Sequence, residues 1–366
     1  MIPIAKPDIG DEEAKAVHDV VSSGWISMGR KVEEFENKIC DYLGVKNAIV
    51  MNNGTATLHS ILTALSIGPG DEIIIPSLTY ISSANVVSYL GAKIVLCDID
   101  KSTFNVTTED IRKKITKNTK AFMTVDMKGL PVDFDSFKRL SEETGIPFIS
   151  DSAESFGATY KGNKVGSQAL AHSFSFFANK NMTTGEGGVV VTQDNELAKI
   201  LRIIRNQGQE GRYNHTWLGN NYRMTDILAS IGIVQLKKID KILNEKVKIA
   251  SYYNDKLSNK NIKVPYVPEY VDRPSWYMYS ITVDRSLRDK LIEHLKNNEI
   301  ETRLSFPPIH IQPYYKNKFK FLENDYPNSF AAYSTFLDIP IWAGMTDEIK
   351  NNVCDTILNF INEIKE

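Results

Sequence analysis

The chemistry in this chain starts from Lys180, in the run His172-Ser173-Phe174-Ser175-Phe176-Phe177-Ala178-Asn179-Lys180-Asn181-Met182-Thr183-Thr184-Gly185-Glu186-Gly187-Gly188. An aromatic, strand-like segment leads into it. A polar turn with three glycines follows and opens into Val189-Val190-Val191. A lysine anchored on rigid backbone and walled by aromatic rings is partly desolvated, a setting that makes an amine a competent imine-forming nucleophile. For lysines at large, a solvated loop position is the commoner fate. The rest of the chain must therefore supply the partners that imine chemistry needs.

In open α/β sheets, ligands gather at the carboxyl ends of strands. The first apolar run ends in Asn52-Asn53-Gly54-Thr55-Ala56-Thr57, where a helix would begin. Gly54 and Thr55 would offer free amides and a positive dipole end to a phosphate, although plain N-capping explains most such sequences. No Walker A lysine is nearby, which argues against a nucleoside triphosphate. The second run ends in Pro76-Ser77-Leu78-Thr79-Tyr80. Tyr80 offers a face to a flat ring, while core packing is the usual role of such a tyrosine. The fifth ends in Ser150-Asp151-Ser152-Ala153-Glu154. An acid closing an apolar strand is costly to bury unless it meets a cation such as a protonated pyridine nitrogen; an N-cap role is equally compatible. Phosphate cradle, ring stacker, carboxylate and imine lysine are together the parts of a pyridoxal phosphate site.

The elements that must hold these residues alternate. Short apolar runs occur at 48–51, 73–75, 94–97, 121–125, 147–150, 173–176 and 189–192, with helical stretches at Thr57–Leu65, Thr108–Ile115 and Asp135–Thr144 between some of them. Runs apolar on both faces predict a seven-stranded, mostly parallel sheet flanked by helices, an α/β fold. From Met224 to Leu243 the period becomes helical, with Ile227, Ile231 and Val234 on one face. Beyond it, proline-punctuated helix and strand signals predict a smaller α+β domain. The expected division is 1–243 for the large cofactor-binding domain and 244–366 for the small C-terminal one.

A chain of 366 residues fits two domains. Its net charge of −2 gives no electrostatic case for nucleic acid or an anionic membrane. No apolar run is long enough to cross a bilayer, and Met1-Ile2-Pro3-Ile4-Ala5-Lys6-Pro7 lacks the core of a signal peptide, so a cytoplasmic protein is expected. Cys40, Cys97 and Cys354 are too few and too scattered for a disulfide framework or a zinc site, and the six histidines lack metal-ligand spacing, so no metal is expected.

The sequence resembles the DegT/DnrJ-type sugar aminotransferases, fold-type-I pyridoxal phosphate enzymes acting on nucleotide-linked keto sugars. The resemblance covers nearly the whole chain. It runs through Ser23-Gly24-Trp25-Ile26-Ser27-Met28-Gly29, Glu34-Phe35-Glu36, Gly68-Pro69-Gly70-Asp71-Glu72, Gly219-Asn220-Asn221-Tyr222-Arg223-Met224 and Ile300-Glu301-Thr302-Arg303. The Lys180 run is its most specific part. The resemblance implies Lys180 as the Schiff-base lysine and Asp151 as partner of the pyridine nitrogen. It implies Gly54, Thr55 and Ser175 as phosphate contacts, Tyr80 as the stacking ring, and Glu154 near the cofactor's phenolic oxygen. Asn221 matches an asparagine that reaches the phosphate of the other subunit, which implies a homodimer with shared active sites.

Asn53 stands where a serine often precedes Gly-Thr, and Phe177 where many members carry histidine. Lysine at 180, where a dehydratase branch has histidine, favours transamination. The implied reaction takes nitrogen from L-glutamate, stores it as pyridoxamine phosphate and passes it to the keto sugar. The Phe176–Lys180 and Thr183–Gly188 signatures look most like members that aminate C4 of 4-keto-6-deoxy sugars, the GDP-sugar-using perosamine synthase type nearest among them. The product would be a 4-amino sugar for a surface glycan of the O-antigen kind. Amination at C3, or of a UDP- or dTDP-linked sugar, stands as the alternative, and a non-catalytic cofactor-binding regulator as a further one. Trp25, Arg212 and His310 are the candidates for sugar and nucleotide contacts, although for each a structural role accounts at least as well, Trp25 as a core residue and Arg212 in a surface ion pair.

Overall fold

The computed structural model describes residues 1–259 and 261–363. Its centre is one sheet of seven strands: β1 (Asn47–Met51), β2 (Glu72–Pro76), β3 (Lys93–Cys97), β4 (Thr119–Val125), β5 (Phe148–Asp151), β6 (Ala171–Ser175) and β7 (Gly188–Thr192). The spatial order is β1-β7-β6-β5-β4-β2-β3. Five strands are joined by parallel ladders, while β7 runs antiparallel to both β1 and β6. Each strand coincides with an apolar run of the sequence, and the expected α/β architecture with a mostly parallel sheet is found.

Strand periodicity of two explains why both faces are apolar. In β2, Ile73 and Ile75 pack with Leu58, Ile61 and Leu62 on one side. Ile74, between them, packs with Phe35, Ile39, Phe122 and Phe137 on the other. Because strands run together, the carboxyl ends of β1, β2, β5 and β6 meet at one edge. The reversed β7 brings its first residue, Gly188, to that same edge.

The helices are close to those expected, with two differences. The helix expected at 108–115 stops at Arg112 and tightens into turns, in which Lys114 and Ile115 bond three residues back. The helix expected to end at Leu243 runs from Asp226 to Leu257. Its second half carries Ile249, Tyr253 and Leu257 into a separate core with Tyr279, Ile281, Leu337 and Ile357. The polar stretch 244–248 hid this continuation, because Lys246 is buried although it is charged by type. The expected division between 243 and 244 falls inside this helix.

The C-terminal part is an antiparallel sheet of Ile262–Lys263, Tyr279–Val283 and Phe336–Ile339, packed with helices Arg285–Asn297 and Asp347–Glu363. The first residues of the chain join it, since the Ile2 amide donates to Glu299 O at 2.7 Å.

Candidate active site

A cavity of about 790 Å³ opens at the carboxyl edge of the sheet, against residues of the C-terminal part. Lys180, Gly54, Thr55, Tyr80, Asp151, Glu154 and Ser175 all line it. Sequence positions 54 to 180 thus converge on one wall, as strand direction requires.

At one end lies the first turn of the Gly54–Ala64 helix. Asn53 caps it, its side chain accepting from the Ala56 amide at 2.8 Å. The amides of Gly54 and Thr55 come before the first intrahelical bond and have no acceptor among the described residues, as first-turn donors generally lack one. A Cβ on Gly54 would sit 3.1 Å from Ser175 Cβ, so glycine allows β6 to approach the helix end. Gly188 is more tightly held: a Cβ there would meet Asn53 C, Gly54 N and Phe174 O at 2.8 Å each. The result is a cradle of unpaired N–H groups, a serine hydroxyl and close-packed backbone. Asn52, with a buried side-chain oxygen that has no partner among the described residues, also faces this cavity.

At the other end, Asp151 closes β5 with 5% of its surface exposed. Burial pushes its carboxyl up to about 6, against the lowering effect of the Ser83 hydroxyl at 2.8 Å, the Ala153 amide and the nearby Lys180 charge. Among the described residues this buried acid has no ion pair within contact distance, and a protonated ring nitrogen would provide one. Tyr80 is half exposed over the cavity, edge-on to Phe306 with centroids 5.2 Å apart.

Between these ends sits Lys180. Its side chain is 13% exposed, with Nζ 3.6 Å from Glu154 Oε1 and 3.9 Å from the centre of the Tyr277 ring. Glu154 is held from its other oxygen by the Lys128 amide at 2.7 Å. The site therefore fits pyridoxal phosphate at three independent points: orphan amides for a phosphate, a buried acid for the ring nitrogen, and an enclosed amine for the aldehyde.

Four expected contacts are not brought into the cavity of this chain. Asn221 is exposed, bridged through its backbone to Asn206. Trp25 is 63% exposed, and Arg212 lies on the surface with its guanidinium over Tyr213. His310 is fully buried, with Ser77 Oγ 2.6 Å from Nδ1 and the Glu323 carbonyl 3.1 Å from Nε2. Both ring nitrogens are used, so His310 is a core residue rather than a substrate contact.

Other lining residues had no sequence signal beyond type. Tyr277 donates to Asn179 Oδ1 at 3.1 Å and accepts from Arg303 at 3.2 Å, and Phe306 flanks the guanidinium. Arg303 closes the run Ile300-Glu301-Thr302-Arg303, whose resemblance assigns it no role.

The model of the DegT/DnrJ/EryC1/StrS aminotransferase family matches residues 7–358. A GDP-perosamine synthase of Caulobacter vibrioides is 40% identical, over 94% of each chain. One of Vibrio cholerae is 37% identical, over 99% of this chain and 100% of its own. The solved pyridoxal phosphate form of the putative sugar aminotransferase Spr1654 from Streptococcus pneumoniae superposes with a TM-score of 0.95, at 30% identity over 99% of both chains.

Proposed function

The chain belongs to the DegT/DnrJ/EryC1/StrS aminotransferase family, and from that premise we propose that it aminates C4 of a nucleotide-linked 4-keto-6-deoxy sugar. It is a pyridoxal-phosphate-dependent sugar aminotransferase; the sugar, the donor and the glycan served are what this reading adds. We propose L-glutamate as donor, a GDP-linked sugar as acceptor and a surface glycan as destination. The full-length similarity to chains named GDP-perosamine synthase supports the acceptor.

The observation that carries the chemistry is the Lys180 amine, enclosed between Glu154 and Tyr277 and set between the Asp151 carboxylate and the Gly54 cradle. When bound, the cofactor supplies a carbon that accepts nitrogen and a ring that withdraws electrons from the carbon being deprotonated. Asp151 would hold the ring nitrogen protonated. Gly54, Thr55 and Ser175 would anchor the phosphate, Tyr80 would cover the ring face, and Glu154 would sit near the ring oxygen. Lys180 would hold the cofactor's aldehyde and, once freed, move the proton of the donor's α-carbon, base first and acid second. Tyr277 and Glu154 keep that amine in one place while it does so.

We further propose a cytoplasmic homodimer in which Asn221 serves the neighbouring site. Its exposure outside its own cavity supports the second point, and the three unpaired cysteines suit a reducing compartment. Mixing the cofactor-loaded protein with L-glutamate tests the first half-reaction. The absorbance of the aldehyde form should give way to that of the amine form, and an unchanged spectrum would oppose the reading.

A further inference from the structure

Lys128 lies in the turn after β4 with a left-handed backbone, φ 60° and ψ 14°. Non-glycine residues adopt this conformation at a cost, and such strain gathers at functional sites. From this turn one residue holds two carboxylates at once, one that lines the cavity and one behind it. Its amide holds Glu154 Oε2. Its amine reaches across to Asp338, at 2.8 and 2.7 Å from the two carboxylate oxygens.

Asp338 is fully buried on the strand Phe336–Ile339, and the Lys128 side chain is only 10% exposed. The Phe306 and Phe336 rings lie about 6 Å from the ammonium. Asp338 is also a neighbour of Arg303. Their backbones exchange two hydrogen bonds, at 3.1 and 2.9 Å, and Arg303 Nε lies 3.9 Å from Oδ2. Arg303 in turn donates to the hydroxyl of Tyr277, whose ring lies under the Lys180 amine. The contacts close a circuit: Lys180, Glu154, Lys128, Asp338, Arg303, Tyr277 and back to Lys180.

A buried ion pair is a poor device for stability alone, because apolar side chains of similar volume often serve as well. We propose that Lys128 and Asp338 are positioning residues, whose pairing fixes how Arg303 projects its guanidinium into the cavity to receive an anionic group of a substrate. The inference rests on the transamination reading. The anion is either the donor's carboxylate or the sugar nucleotide's phosphate; a planar guanidinium fork suits both.

Calorimetry on the cofactor-loaded protein tests this without turnover. The ligands are 2-oxoglutarate, the keto counterpart of the donor, and GDP. The proteins are wild type, Lys128→Arg, Lys128→Met, Asp338→Asn and the double variant Lys128→Met/Asp338→Leu, each with its melting temperature. Lys128→Arg keeps the charge pair and should bind as wild type does. The two charge-removing single variants should bind one of the ligands at least about tenfold more weakly. The apolar double variant should regain the melting temperature but not the affinity. Weakened 2-oxoglutarate identifies the carboxylate, and weakened GDP the phosphate. Affinity that returns with stability in the double variant makes the pair merely structural and overturns the proposal. So does affinity unchanged in every variant, or a wild type that binds neither ligand. Failure of the transamination reading would show differently, as intact ligand binding with no amine product.

Discussion

Lys180 Nζ stands 3.6 Å from Glu154 Oε1, and the other oxygen of that carboxylate is tied to the Lys128 amide. The lysine thus has a fixed neighbour on one side and the Tyr277 ring on another. A proton carrier held this way acts from one position. Lys180→Ala should keep its fold and retain the phosphate cradle, yet lose about 10³-fold or more in kcat, the scale of a general acid–base contribution. Glu154→Gln keeps an acceptor for the Lys128 amide and should lose less. Steady-state rates with L-glutamate decide the point, and sustained turnover by Lys180→Ala would remove Lys180 from the mechanism.

Asp151 predicts a pH signature in the cofactor-free protein. Burial raises its folded carboxyl to about 6, from an ordinary value near 3.8. The folded chain therefore holds a proton that the unfolded chain has lost across that window. The associated stability is full below about pH 4 and is lost as pH rises through about 6. By neutral pH the buried charge costs about 3 kcal/mol as an upper figure. Asp151→Asn should melt at a higher temperature than wild type at pH 7 and lose that advantage near pH 4. Equal melting differences at both pH values would contradict the assignment.

Gly188 is a packing test of the cradle. Its missing Cβ lets β7 lie against Asn53 and Gly54, and the neighbours at 2.8 Å are backbone atoms that cannot rotate away. Gly188→Ala should cost about 1–3 kcal/mol in thermal or urea unfolding, the range of overpacked interiors. Cofactor affinity should fall with it, because the Gly54 amides are displaced. A variant that loses stability and binds cofactor normally would separate the cradle from phosphate binding.

The shared-site proposal predicts complementation. Lys180→Ala alone is inactive, and Asn221→Ala alone should bind cofactor weakly. Mixed and refolded together, they form dimers in which one intact Lys180 meets one intact Asn221. Activity should recover toward about a quarter of wild type, as random pairing in a twofold dimer gives. No recovery would mean that Asn221 serves its own chain or no site.

Much of this was legible in the sequence because it is local. Each sheet strand overlaps a short apolar run of the sequence, and Asp151 and Lys180 are read from what stands beside them. The second wall was not legible, because its contacts are remote in sequence. Lys128 meets Asp338 from 210 positions away, and Tyr277 reaches Asn179 from 98 away. The buried place of His310 is hidden for the same reason, since its partner Ser77 lies 233 positions away. Periodicity lost the long helix at Leu243 because the buried Lys246 breaks the apolar pattern that burial usually produces.

The central claim is nitrogen transfer to a nucleotide-linked keto sugar, and product mass tests it most directly. The protein, pyridoxal phosphate, L-glutamate and a GDP-linked 4-keto-6-deoxy sugar should yield the GDP-linked 4-amino sugar, with nitrogen from ¹⁵N-glutamate at C4. An unlabelled or absent amine, while glutamate still converts the cofactor to its amine form, would contradict the proposed acceptor.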